Sequence, residues 1–394
     1  MHRPTLLLRS GVATTLLALL LVVAGTAAEA AKLDRYLERQ MHKARLPGLA
    51  TAIVVGDEVV QIGSYGWASP GEQIPVTPDT LFLIASVSKP VTATVAMRFV
   101  ERRLLRLDDD VNQYLPFEVR NPRFPDQAIT LRQLLTHTSS INDEGFYQRS
   151  AELVSIGDWA GSLNQFLSDY LTAGGRFYGA ESSFRAEAPG TTAAYSNVGF
   201  ALVGALVQSV GGASFEKVSH EEVLDPLGMS ESSWLLRNLE LGRVAVPCFW
   251  TEEGFEAYPH LGMAMFPAGQ LRTSSRQLAN FARLHLNRGR FEGRRILRRK
   301  TAAEMVRVQM PEVDPLRGLA FLVVRDGDHR FALHEGGFNG ATTGLWLALD
   351  EGIGVLVLTN GEAFSGGNKT LRAFYKIRNR LFNEAARIAA RDEN

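Results

Sequence analysis

The chain has 394 residues, 42 lysines and arginines against 42 aspartates and glutamates, and 45% hydrophobic residues. A chain of this length buries a sizeable core without disulfides, and its single cysteine, Cys248, reads as a buried small apolar residue. The balanced charge gives no reason to expect nucleic acid or an anionic membrane as a partner.

At the N-terminus, Arg3 and Arg9 precede an apolar stretch from Val12 to Val23 and then Ala28-Glu29-Ala30. That order fits a secretory leader with a small-x-small cleavage site. Residues 1–30 are therefore expected to be removed after Ala30, in a periplasmic or secreted protein. An uncleaved anchor is the competing reading, because Gly11 to Ala28 is just long enough to span a bilayer.

Ala50 to Val55 and Val59 to Gly66 are β-rich runs around Gly56-Asp57-Glu58 and predict a hairpin. The short apolar run Leu81 to Ile84 then feeds a helical pattern through Val95, Met97, Phe99, Val100 and Leu104. Pro90 fits only the first turn of that helix, which must begin at or just after Ser86. The pattern stays mostly helical to about Leu224, including Leu131 to Leu135, Ser162 to Leu171 and Val198 to Val210, with a turn-like stretch from Arg176 to Pro189. The basic run Arg294 to Lys300 reads as a solvated helix face. His329 to Leu333, Thr343 to Leu349 and Ile353 to Thr359 again predict strands, and Leu371 to Arg391 a closing helix. Sheet-forming ends and a helical middle imply an α/β domain from residues 31–85 and 225–394, with a mainly helical domain, 86–224, inserted. The site is expected in the cleft between them.

Three clusters carry chemistry. Ser86-Val87-Ser88-Lys89 places a serine and a lysine three residues apart at a helix start, on one face. There the helix dipole and burial disfavour the ammonium and push the amine toward a base. Tyr195-Ser196-Asn197 sits at the start of the helix that follows, where Ser196 or Asn197 is also suited to capping. His334-Glu335-Gly336-Gly337 follows a strand, and its glycines let a ligand lie against the strand edge. The eight histidines show no metal-ligand spacing, and no phosphate-binding glycine loop is present. His137 reads as a loop-tying residue.

In this order the three clusters resemble the serine β-lactamase and penicillin-binding-protein-like family, specifically its class C branch. Leu134-Leu135-Thr136-His137-Thr138-Ser139, Pro226-Leu227-Gly228-Met229, Pro267-Ala268-Gly269 and Thr359-Asn360 are similar to further landmarks of that family, across roughly residues 35 to 385. The resemblance implies a β-lactamase/transpeptidase-like fold, an antiparallel sheet flanked by helices. It implies Ser86 as the acylated nucleophile, Lys89 and Tyr195 as proton carriers with the base undecided, and Asn197 as a substrate contact. The amides of Ser86 and Gly337 are implied as the oxyanion hole, with Gly336 beside them. His334 takes the place of the family's third-motif lysine, and its titration near neutral pH is expected to mark the pH profile. Ser140 and Gln270 stand where the family often has glycine. Glu335 replaces a hydroxyl residue, and aimed into the cleft it would repel a substrate carboxylate by about 4 kcal/mol at 4 Å. The expectation is a cofactor-free serine hydrolase for a small ester, amide or peptide, esterase-like or peptidase-like before β-lactam-hydrolysing. A non-hydrolysing sensor of cell-wall fragments is the alternative.

Overall fold

The computed structural model describes residues 29–326 and 329–392. The expected leader lies outside the described residues up to position 28, and residues 29 and 30 already belong to the first helix, α1, residues 29–43. Strands β1 (Gly48–Val55) and β2 (Glu58–Ser69) form the predicted hairpin. Short β3 (Ile74–Pro75) follows on the outer side of β2, an edge position where proline costs no central ladder bond.

Next come β4 (Phe82–Leu83) and the helices α2 (Ser88–Glu101), α3 (Leu131–Leu135), α4 (Leu163–Leu171) and α5 (Asn197–Gly211). All four helices fall where the apolar spacing puts them. Strand β5 (Arg272–Thr273) pairs with β4, and α6 (Ser275–Leu286) leads toward the C-terminal half. Strands β6 (Leu322–Asp326), β7 (His329–Phe338), β8 (Ala341–Ala348) and β9 (Ile353–Thr359) precede the long helix α7 (Gly367–Asp392).

The seven strands of the main sheet run β6-β7-β8-β9-β1-β2-β3, every pair antiparallel. Strands from both ends of the chain meet where β9 pairs β1, with Leu49 opposite Thr359 and Val55 opposite Ile353. Leu49, Ile53, Trp346, Val355 and Val357 pack with Leu37 of α1 and Phe374 and Ile377 of α7. On the other face, Ala50, Ala52, Leu345, Leu347, Leu356 and Leu358 join the larger core with Leu278 and Phe281 of α6. Strands covered on both faces read as largely continuous apolar runs, which is why β9 stands out in the sequence. Among the described residues no single helix is long and apolar enough to cross a membrane.

Three expectations need correction. Arg294–Arg295 form a strand paired with Arg290–Phe291, so the basic run is half hairpin, and only Arg299–Met305 is helical. Glu292 and Gly293, both at positive φ, make the tight turn that this hairpin needs. His334 to Gly337 lie within β7 rather than after it. Strand β6 was not predicted; it pairs with β7 from Leu322 opposite Leu333 to Asp326 opposite His329.

Candidate active site

Ser86 lies on a single 3-10 turn, Ala85–Val87, that leads into α2. Ala85 before it is buried at φ +47°, a left-handed conformation that costs energy in a residue with a Cβ and recurs at functional sites. The turn is clamped from the sheet. Thr343 on β8 donates to the Ile84 carbonyl at 2.7 Å, and a Cβ on Gly336 would lie 2.5 Å from Ile84 O and 2.9 Å from Ser86 N. Only glycine lets β7 lie this close to the nucleophile turn.

Lys89, one turn on, is fully buried. Its Nζ is 3.0 Å from Ser86 Oγ, 2.7 Å from Asn197 Oδ1 and 2.7 Å from the Ala268 carbonyl. The last contact holds because Thr92 of α2 donates to the Pro267 carbonyl and the Leu271 amide donates to Ser88 Oγ, tying residues 267–271 to the helix. Burial pushes the Lys89 amine from 10.5 down to about 7, with Asp143 resisting. Desolvation dominates because no carboxylate touches the amine.

Tyr195 donates to Ser86 Oγ at 2.8 Å, so lysine and phenol meet on one oxygen. Desolvation holds the phenol above its ordinary pKa. Its ring packs on His137 with centroids 4.2 Å apart and lies 4.7 Å from Lys89 Nζ. Ser196 caps α5 by accepting from the Gly199 amide, while its neighbour Tyr195 reaches Ser86.

Asp143 organises the triplet, and no sequence signal linked it to the site. Its carboxylate accepts from Ser196 Oγ and the Asn197 amide, both at 2.6 Å, and from the Val198 amide at 3.2 Å. An anion there also complements the positive end of α5, while burial raises its pKa. His137 accepts from the Ser196 amide through Nδ1 at 3.1 Å, which makes it the loop-tying residue the sequence suggested. Tyr147, also missed, accepts from Asn197 Nδ2 at 3.1 Å. Ser140 sits at φ +61°, which explains why glycine suits that position. Gln270 is buried and accepts from Arg272 through its side-chain oxygen.

Two site expectations change. His334 is buried, donates from Nδ1 to the Glu335 carbonyl at 2.8 Å, and is pushed down to about 3 by desolvation and then by Lys89. It is neutral throughout the neutral range and cannot shape the pH profile there. Glu335 does not enter the cleft. One carboxylate oxygen accepts from Trp346 Nε1 at 3.2 Å and the other from the Tyr375 hydroxyl at 3.0 Å, under α7. Neighbouring strand residues point to opposite faces, so His334 on the cleft side puts Glu335 behind the sheet, and its predicted repulsion of carboxylates disappears.

A cleft of about 540 Å³ opens from Ser86, lined also by Asn197 and Gly337. Gly337 thus shares the cleft wall with Ser86. Among the described residues no cluster of His, Cys, Asp or Glu is placed to hold a metal ion.

Comparison with known proteins agrees with this fold. "Protein flp" of Staphylococcus aureus (strain N315) is 25% identical over 264 residues, 65% of this chain and 49% of that protein. "D-alanyl-D-alanine-carboxypeptidase/endopeptidase AmpH" of Escherichia coli (strain K12) is 26% identical over 201 residues, 51% of this chain and 49% of that protein. The chain thus spans about half the length of the curated relatives it matches. Among solved structures, the D-amino acid amidase from Ochrobactrum anthropi SV3 superposes with a TM-score of 0.72 at 20% identity, covering 91% of this chain and 98% of that one. EstCE1, a hydrolase with promiscuous acyltransferase activity, gives 0.72 at 20% identity over 89% and 98%. These two share the fold. The Beta-lactamase family model matches residues 33–376, and the chain belongs to the beta-lactamase family.

Proposed function

We propose that the protein is a serine hydrolase that forms an acyl-enzyme on Ser86 from a small ester or amide. The carrying observation is the hydrogen-bond arithmetic at Lys89. A neutral amine has two N–H donors and one lone pair. Asn197 Oδ1 and the Ala268 carbonyl are acceptors only, each at 2.7 Å, so they take both donors. The lone pair is left for the remaining contact, Ser86 Oγ at 3.0 Å. That favours Lys89 as the base and leaves Tyr195, kept protonated by its raised pKa, as the acid.

The steps follow. Ser86 Oγ attacks the carbonyl carbon while its proton passes to Lys89. Negative charge gathers on the carbonyl oxygen near the amides of Ser86 and Gly337, where each donor is commonly worth about 3 kcal/mol. Tyr195 gives its proton to the leaving oxygen or nitrogen as the carbon–heteroatom bond breaks, and regains one from Lys89. Water then repeats the sequence against the acyl-serine. Related chains named as a carboxypeptidase, an amidase and an acyl-transferring hydrolase support this class of chemistry.

The test is intact mass after exposure to a fluorophosphonate, wild type beside Ser86→Ala. One adduct in the wild type and none in the variant is expected. An unmodified, folded wild-type protein would overturn the proposal.

A further inference from the structure

We propose that the cleft beside Ser86 is an acyl pocket for an uncharged, apolar acyl group, so that the preferred substrates are esters or amides of medium-chain or aryl acids. This rests on the serine-hydrolase reading and adds the substrate class to it. Phe146, Val154, Leu261, Met263, Met265 and Phe338 form the apolar part of the cleft wall, the polar groups beside them, such as Tyr147 and Asn339, are uncharged, and no charged side chain lines it. Its volume of about 540 Å³ falls within the usual range for small-molecule sites, about 300–1,000 Å³.

Which half of the substrate enters is decided by the proton donor. Tyr195 does not line the cleft. Its hydroxyl meets Ser86 Oγ while the residue as a whole is 46% exposed. The leaving group must accept the Tyr195 proton, so it departs on that open side. The acyl half then occupies the opposite, apolar side, next to Gly337 and Phe338. The nearby charges are engaged elsewhere: Lys89 is enclosed by its three contacts, Arg317 is bonded to Asp314 at 3.2 Å, and Glu335 is behind the sheet. A carboxylate carried into the pocket on the acyl group would lose its hydration without gaining a cation.

Acylation here is a plain transfer. The acyl carbon bonds to Ser86 Oγ, the bond to the leaving alcohol breaks, the alcohol takes the proton, and water later releases the acid.

The experiment measures kcat/KM for p-nitrophenyl acetate, butyrate, hexanoate, octanoate and hemisuccinate. The expected result is a rise of about fourfold per methylene until the cleft is full, and a hemisuccinate rate at least about tenfold below that of the butyrate. Ala151 is exposed where it lines the cleft, so Ala151→Trp obstructs the pocket without disturbing the core. It should lower the octanoate-to-acetate ratio of kcat/KM at least about tenfold. Acetate turnover with a flat chain-length series, or a preference for the hemisuccinate, overturns the acyl pocket and leaves the hydrolase reading standing. No turnover of any ester, with Ser86 inert to fluorophosphonate, overturns both.

Discussion

Lys89 is predicted to set the acid limb of the pH–rate profile. Its fall from 10.5 to about 7 corresponds to about 5 kcal/mol against the buried ammonium. As the pH falls below 7 the amine becomes protonated and its lone pair is lost, so kcat/KM should approach a tenfold drop per pH unit, or about 50-fold between pH 7 and pH 5. The neighbouring histidines do not confuse the signal, because desolvation holds His334 at about 3 and His137 well below its ordinary value. His334→Gln should therefore leave the limb near pH 7. Asp143 raises the Lys89 pKa, so Asp143→Asn should move the limb to lower pH. It should also cost about 1–3 kcal/mol of stability, because one amide donor in the Asn197 loop loses its acceptor. The assay is kcat/KM for a neutral p-nitrophenyl ester between pH 5 and 9.5, with folding followed by circular dichroism at each pH. A limb that follows His334, or one lying above pH 9, would refute the reasoning.

Lys89 also links pH to stability. Its folded pKa lies below the unfolded one, so between about 7 and 10.5 the unfolded chain binds a proton that the folded chain does not, and stability must rise with pH across that window. Lys89→Met removes this dependence, so the melting temperature of the wild type minus that of the variant should increase from pH 7 to pH 10.5. Tyr195→Phe keeps the ring on His137 but deletes the proton donor, and should lower kcat at least about 100-fold with little change in melting temperature. Gly336→Ala drives a Cβ to 2.5 Å from Ile84 O, and should lose about 1–3 kcal/mol together with activity. Glu335→Gln should leave both kcat/KM and the hemisuccinate-to-butyrate ratio unchanged, because the carboxylate is bonded behind the sheet to Trp346 and Tyr375.

The elements that were legible in the sequence are those that packing decides locally. The run from Ile353 to Thr359 is buried along its whole length and could only be a strand between two layers. Leu131–Leu135 begins with a Thr130 and Gln133 capping box that fixes its first turn. The serine, lysine and tyrosine were legible because one helix start and one helix cap each hold them at short spacing. Asp143 was not, since its bonds to residues 196–198 cross more than fifty positions, and a lone aspartate in a loop carries no periodic signal. The role of Ala268 was hidden for a different reason: a backbone carbonyl has no side-chain signature. Glu335 was misread although the information was present. The alternation of β7 puts Ala332, His334 and Gly336 on one face and Leu333 and Glu335 on the other, and reading the histidine into the cleft already sends the glutamate out of it. His334 shows the opposite limit, because a ring that titrates near neutrality in water loses that property once buried beside a cation, and burial is a property of the fold.

The most direct test of the account is peptide-mapped mass spectrometry of the protein acid-quenched during turnover of p-nitrophenyl hexanoate. A hexanoyl group is expected on the peptide containing Ser86, absent from Ser86→Ala and accumulating more slowly at pH 5 than at pH 8. Turnover that persists in Ser86→Ala, or an acyl group mapped to another residue, would contradict it.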